Sequence, residues 1–291
     1  MITRLTRFFH TEIGGLHEAA YLIALASLAS QILGLVRDRL FAHTFGPGGE
    51  LDIYYAAFRV PDLIYATVAS FVSITVLIPF LVKWIGPKGF HDTHQAQAFL
   101  SRVLTVFICV MGVTIAIVFI AAPALSTLVA PGFSSDSQEK LITLMRILLL
   151  SPFFLGLSGI VGSVTQSLKR FYVYALSPLF YNLGIIAGIL FFYPLLGLPG
   201  LGLGVVLGAF LHLAVQFPLL RSVRVFPTIT PRINWREIRE IFAVSLPRTI
   251  ALSLGQISFV VLNALATYMA PGSVTVFNLG LALQAVPLAL I

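Results

Sequence analysis

Long apolar runs separated by short polar segments dominate this chain of 291 residues. A helix that crosses a bilayer needs about 20 mostly apolar residues. Eight runs approach or exceed that length: 20–43, 53–82, 100–130, 141–167, 173–194, 199–219, 240–268 and 274–291. A membrane β-barrel would instead show strands of about ten residues with alternating hydrophobicity. The pattern therefore predicts an all-α polytopic membrane protein with about eight transmembrane helices.

Composition supports the same class. The chain is 58% hydrophobic and only 10% charged, whereas soluble domains carry about 25% charged residues. Such a composition cannot cover the surface of a soluble protein, and no nucleic-acid partner is expected. The single cysteine, Cys109, lies inside an apolar run and is predicted to be a small buried side chain.

Basic residues alternate between the connections and thereby predict the orientation. They concentrate before the first span and in every second connection after it: Arg4, Arg7, Lys83, Lys88, Lys169, Arg170, Arg221, Arg224, Arg232, Arg236 and Arg239. The positive-inside rule then places residues 1–19 and the basic loop 220–239 in the cytoplasm. The stretch RINWREIRE within that loop reads either as a short interfacial helix or as a solvated loop.

Charges interrupt the first two predicted spans, which is costly within a bilayer. Helical spacing puts Ser30, Gly34 and Arg37 on one face of span 1. It likewise puts the following residues on one face of span 2: Asp52, Tyr55, Arg59 and Asp62. The two polar stripes are predicted to line a shared water-filled cavity. The alternative is a pair of ordinary ion pairs, Arg37–Asp38 and Arg59–Asp62, near the outer interface; for Asp52, capping of a helix start is a further alternative.

The other polar residues within the spans are weaker indications of function than the charges of spans 1 and 2. Arg248 follows Pro247, and broken helices line transport sites, although Arg248 also lies close enough to the basic loop to snorkel. Single amides are interpreted as hydrogen-bonding links between helices: Gln166, Asn182, Gln256, Asn263 and Gln284. His212 is interpreted in the same way. No nucleotide-binding, hydrolase or metal-binding motif occurs, so we expect a transporter rather than an enzyme, with no cofactor and no metal.

Several motifs resemble those of one family. The stretch SLASQILGLVRDRLFAHTFGPGGELDIYYAAFRVPDL resembles the opening of the MurJ (MviN) family of lipid II flippases in the MOP superfamily. Further similarities are IPF at 78–80, APGF at 130–133, the region around Asn182, PRIN at 231–234 and SLGQISFVVLNALATYMAPGSV. The resemblance implies a first lobe of six helices (20–219) and the first two helices of a truncated second lobe (240–291).

The resemblance also implies a function. This family moves the undecaprenyl-pyrophosphate-linked peptidoglycan precursor across the bacterial inner membrane by alternating access. Arg37, Asp52 and Arg59 match polar positions of the family. Other family charges are replaced here, at Gln31, Tyr65, Ala66, Ser70 and Ala282. We therefore expect Arg37 and Arg59, with Arg248, to bind pyrophosphate, and Asp52 to pair with an arginine.

Two other functions stay open. A different MOP-type exporter would carry lipid-linked polysaccharides or drugs, and a membrane scaffold would retain the fold without transport. The expected partners are a lipid-linked anion, membrane lipids and cell-wall synthesis proteins.

Overall fold

The computed structural model describes residues 16–86, 89–223 and 225–288. Most of the predicted cytoplasmic segment 1–19, and the last three residues of the predicted eighth span, lie outside this range. The helices of spans 1 to 3 are α1 Leu16–Phe45, α2 Gly49–Ala57, α3 Arg59–Thr67, α4 Ile74–Leu81 and α5 Thr93–Val129. The remaining helices are α6 Ser135–Leu148, α7 Leu150–Ser167, α8 Phe171–Ala187, α9 Tyr193–Leu196, α10 Leu198–Ala214, α11 Phe217–Val223, α12 Trp235–Ala266 and α13 Ser273–Leu288.

Shorter elements complete the chain. Two 3₁₀ turns, Ala69–Val72 and Val82–Trp84, flank α4, and a π-helical turn at Gly188–Phe192 joins α8 to α9. A small antiparallel hairpin pairs β1 (Ile85–Gly86) with β2 (Gly89–Phe90).

The prediction of an all-helical membrane protein is confirmed. Within the described residues, six helical segments are long and apolar enough to cross a bilayer, and a bent pair formed by span 2 brings the number to seven. The eighth predicted span, 274–291, corresponds to a shorter apolar helix, Ser273–Gln284, in the same residues. The assignment of these helices to two lobes stays a prediction.

Span 2 is broken, whereas its apolar run predicts a continuous helix over 53–82. Its two parts, Gly49–Thr67 and Ala69–Trp84, meet at an angle of 47°. Within the first part, α2 ends at Ala57, because Pro61 has no N–H to donate to the Ala57 carbonyl. Within the second part, Ser73 is extended (ψ 150°) and separates the 3₁₀ turn from α4. Pro247 lies within α12, which runs unbroken past it.

Glycines bring α8 and α10 into backbone contact. Gly184 on α8, and Gly188 at the start of the π-helical turn that follows it, face Gly204 and Gly208 on α10. A Cβ added at Gly204 would overlap the Cα of Gly188. Paired small residues four apart allow this approach between membrane helices. The contact fixes one side of the bundle, and α1 packs against the same α8.

The basic loop is ordered against span 3. In its extended part, the N–H groups of Thr228 and Thr230 donate to the hydroxyls of Ser101 and Thr105, both at 2.9 Å. Arg102 forms a two-pronged ion pair with Glu237 at 2.9 and 3.1 Å. The interpretation of RINWREIRE as a separate interfacial helix is wrong, because its last six residues, 235–240, are the start of α12.

Cys109 on α5 is exposed, so its predicted burial is wrong.

Candidate functional site

Arg37 is held on the inner side of α1 by two partners. Its Nε donates to Asp38 Oδ1 at 2.8 Å, and its Nη1 donates to Asn182 Oδ1 on α8 at 2.8 Å. Asn182 is itself oriented, because its Nδ2 donates to the Ser30 hydroxyl at 3.3 Å and to the Pro178 carbonyl at 3.2 Å. The ion pair between Arg37 and Asp38 is therefore present, but it faces a neighbouring helix.

Arg59 opens α3 and is buried, with only 6% of its surface exposed. Its Nε donates to Asn263 Oδ1 on α12 at 3.4 Å, and its Nη2 donates to Asn278 Oδ1 on α13. The guanidinium also lies 5.8 Å from the ring centroid of Phe259. No ion pair within 4.0 Å joins Arg59 to Asp62 among the described residues. Arg59 thus donates hydrogen bonds to neutral amides of the last two helices, α12 and α13.

A cavity of about 190 Å³ joins these two arginines. Its lining consists of Arg37, Asp38, Phe41, Tyr54, Tyr55, Phe58, Arg59, Asp62, Tyr181, Ile185 and Asn278. Arg37 of the span 1 stripe and Tyr55, Arg59 and Asp62 of the span 2 stripe therefore face one hollow. The other members of the predicted stripes, Ser30, Gly34 and Asp52, do not line it. Two arginines and two aspartates line it, so that their formal charges cancel.

Asp52 has a different role from the one expected. Its Oδ2 accepts from the N–H of Gly272 at 2.6 Å, and its Oδ1 accepts from both the N–H and the hydroxyl of Thr275 at 2.7 Å. The carboxylate thus caps the start of α13, where free N–H groups favour an anion. Its expected pairing with an arginine does not occur in the described residues. Capping of a helix start was the alternative prediction for Asp52. The helix that Asp52 caps is α13, which is distant from it in the sequence.

Arg248 does not join the other arginines. Its Nη1 donates to the Ser73 hydroxyl at 2.6 Å and to the Thr75 hydroxyl. It lines a separate cavity of about 240 Å³ beside the break in span 2. Close by, the hydroxyls of Ser70 and Thr249 are 2.7 Å apart. The structure therefore brings Arg37 and Arg59 together and leaves Arg248 elsewhere.

The comparisons with known proteins decide the family. A family model described as "Lipid II flippase MurJ" matches residues 41–291. This chain belongs to the MurJ family. A protein of Burkholderia cenocepacia named "Lipid II flippase MurJ" is 29% identical over 273 residues, which cover 91% of this chain and 52% of that protein. A "Probable lipid II flippase MurJ" of Haemophilus influenzae is 24% identical over 86% of this chain and 50% of its own length.

Solved structures show the same fold for this MurJ family member. The "Lipid II flippase MurJ, inward closed conformation" aligns with a TM-score of 0.74 and 22% identity, over 92% of this chain and 55% of that one. A MOP superfamily transporter from Pyrococcus furiosus aligns with a TM-score of 0.66 and 16% identity, over 98% of this chain and 63% of that one. The chain spans about half the length of the curated relatives it matches.

Three asparagines bind the arginines of this site, a role that the sequence does not predict. The sequence suggests Asn182 and Asn263 only as links between helices, and it does not single out Asn278. All three bind an arginine of spans 1 or 2. In the sequence, each of these residues is recognisable only as an amide within an otherwise apolar helix. Which amide contacts which arginine follows from the packing of the helices.

Proposed function

We propose that this chain forms the first part of a flippase that moves a polyprenyl-pyrophosphate-linked peptidoglycan precursor, lipid II, to the outer leaflet of the bacterial inner membrane. Membership of the MurJ family supports this proposal. The observation that carries it is the charged hollow between spans 1 and 2, with Arg37 and Arg59 on its wall. The hollow lets a charged headgroup cross while the polyprenyl tail remains in lipid.

The amide partners of Arg59 suggest how binding is linked to opening. Hydrogen bonds between a guanidinium and a phosphate are charge-assisted on both sides, and are stronger than bonds to a neutral amide. A pyrophosphate entering the hollow would therefore displace Asn263 and Asn278 from Arg59. Because these asparagines lie on α12 and α13, the exchange would release the last two helices from α3. Substrate binding would thereby favour the conformation in which the cavity opens to the other side of the membrane.

Asp52 supports a hinge between the same helices in this proposal. Its carboxylate holds the start of α13 against α2 through three hydrogen bonds. These bonds do not depend on Arg59, so this contact would persist while the asparagines exchange partners. The α2–α13 contact is thus proposed as the pivot and the Arg59 contacts as the releasable part.

The orientation is proposed from the distribution of basic residues. Two spans separate the connection that carries Lys83 from that of Lys169, and two more separate the latter from that of Arg232. This spacing would bring all three connections to one end of the bundle, which we call the basic end. The positive-inside rule places the basic end, and the N-terminus with it, in the cytoplasm. The partners would be the lipid-linked substrate and membrane lipids, with cell-wall synthesis proteins as further candidates.

Complementation tests the proposal. The complete gene is expected to restore growth to a bacterium depleted of its own lipid II flippase, and Arg37→Ala and Arg59→Ala are expected to abolish that rescue. Arg232→Ala, which removes an exposed arginine of the basic end, serves as the control and should rescue growth. Rescue by both cavity variants at the level of the parent would refute the assignment of the site. Failure of the parent itself, despite normal membrane expression, would favour a scaffold.

A further inference from the structure

The cavity beside Arg248 has both apolar and polar lining residues, and no acidic residue lines it. It lies between the broken span 2, α7 and α12. Four hydroxyls, one amide and one guanidinium line it, from Tyr65, Ser70, Ser73, Thr75, Gln256 and Arg248. These are the donors that proteins use to bind phosphate oxygens.

The charge of this cavity differs from that of the Arg37–Arg59 cavity. There, two aspartates balance two arginines. Here the positive charge of Arg248 is uncompensated, because no carboxylate lines the cavity. None lies within 4.0 Å of Arg248 among the described residues either. An anion would therefore meet a net positive site at Arg248.

Arg248 is oriented but has donors to spare. Its Nη1 is fixed by the hydroxyls of Ser73 and Thr75. A guanidinium has five N–H donors, and within the described part of the chain those on Nε and Nη2 have no hydrogen-bond partner. Arg248 is also an exposed residue, in contrast with the buried Arg59. A ligand could therefore bind without first displacing a protein partner.

The contacts beside the two cavities lie at different levels of α12. Thr249 contacts Ser70 at one level of α12, and Asn263 contacts Arg59 at another. Fourteen residues of helix separate these contacts, or about 21 Å at helical rise. Phe259, which lies against Arg59, comes between them in α12. The Arg248 cavity is the one nearer the basic end.

We propose that Arg248, Ser73 and Thr75 form a second binding site, for the phosphate group of a lipid headgroup. The site binds the headgroup on the basic-end side, before the headgroup reaches Arg37 and Arg59. This order of events rests on the proposed flippase function, whereas phosphate binding at Arg248 does not. In this arrangement Arg248, whose charge is uncompensated, binds the headgroup first. The headgroup then enters the Arg37–Arg59 cavity, where Arg59 exchanges its asparagine partners for phosphate oxygens.

Lipid binding to the purified protein tests the site. The protein is placed in phosphatidylcholine nanodiscs and titrated with phosphatidic acid, and bound lipid is measured by native mass spectrometry. Arg248→Gln is expected to weaken binding about tenfold, because it removes a charge-assisted bond, and Arg248→Lys is expected to restore part of the affinity. The matched control is Arg239→Gln, which removes the same charge from an exposed position on the same helix and should bind as the parent does.

Several results would overturn the proposal. Parental affinity in Arg248→Gln would exclude the site, and an equal loss in Arg239→Gln would show attraction to the basic surface only. A parallel titration with inorganic pyrophosphate identifies the source of the phosphate group. Binding of pyrophosphate that depends on Arg248, without binding of phosphatidic acid, would mean a site for soluble anions and would refute the lipid assignment.

A second variant tests the geometry rather than the charge. The double substitution Ser73→Ala with Thr75→Val keeps Arg248 but removes the hydroxyls that orient it, and is expected to weaken phosphatidic acid binding less than Arg248→Gln does. An unchanged affinity would exclude these hydroxyls from the site. Because none of these measurements requires transport, their failure would leave the complementation result, and with it the proposed function, unaffected.

Discussion

Single residues compensate for backbone groups that prolines and helix ends leave without partners. Pro123 in α5 cannot donate to the carbonyl of Phe119, one turn earlier. Arg146 fills that gap, because its Nε donates to the Phe119 carbonyl at 3.2 Å and its guanidinium lies 4.6 Å from the Phe119 ring centroid. An unsatisfied backbone group costs several kcal/mol within a bilayer. Arg146 is thereby explained as a structural residue, although its charge alone would suggest a transport role.

Substitution of Asp52 is expected to lower the stability of the protein. Asp52→Ala leaves the N–H groups of Gly272 and Thr275 without an acceptor, and each buried unsatisfied donor costs about 1–3 kcal/mol. We expect a lower melting temperature in detergent micelles, measured by intrinsic fluorescence. Asp52→Asn keeps one carbonyl oxygen and should lose less. Equal melting temperatures for the parent and Asp52→Ala would show that this cap does not stabilise the contact between α2 and α13.

At the scale of elements, the backbone contact between α10 and the C-terminal part of α8 with the turn after it depends on having no side chain at four positions. The Cα of Gly188 occupies the place that a Cβ on Gly204 would take. Other glycines of the bundle have open space around them, and a Cβ added at Gly255 in α12 would meet no atom within 4 Å. Glycine therefore has a packing role in α10 that it does not have in α12.

This difference predicts opposite effects of one substitution. Gly204→Ala should force α8 and α10 apart and destabilise the protein by about 1–3 kcal/mol. Gly255→Ala should leave stability unchanged or raise it by up to about 1 kcal/mol, because alanine favours helix. Thermal unfolding of both variants in the same detergent provides the measurement. A loss of stability in Gly255→Ala equal to that in Gly204→Ala would argue against specific packing between α8 and α10.

The sequence predicts elements better than it predicts breaks within them. Apolar length was sufficient to locate seven of the spans, because a bilayer demands that length. Pro61 offered a local signal for the break in span 2, but Ser73 did not, since its extended backbone depends on its surroundings. Pro247 was a false signal, because a proline within a long helix need not interrupt it. Helical spacing predicts that Arg59 and Asp62 lie on one face of span 2. The amide partners of Arg59 cannot be predicted in this way, because they depend on how α12 and α13 pack.

For the whole molecule, the last two helices contact the other spans at several levels. At the basic end, Arg102 binds Glu237, and at the opposite end Asp52 holds α13. Between these levels, α12 lies along α3 and the 3₁₀ turn Ala69–Val72, with one cavity at Arg59 and another at Arg248. Polar contacts thus hold the last two helices against the other spans at both ends of α12.

The central claim is that Arg37 and Arg59 line a hydrated hollow, and thiol labelling tests it most directly. Tyr55, on the wall of this hollow, is changed to cysteine in a Cys109→Ser background. The control is the parent, whose only cysteine lies exposed on the apolar helix α5. Both are treated in phosphatidylcholine nanodiscs with an anionic methanethiosulfonate reagent. Cysteine at 55 is predicted to react about tenfold faster than Cys109, because thiolates form in water and not in hydrocarbon. Reaction no faster than that of Cys109 would contradict the hydrated hollow.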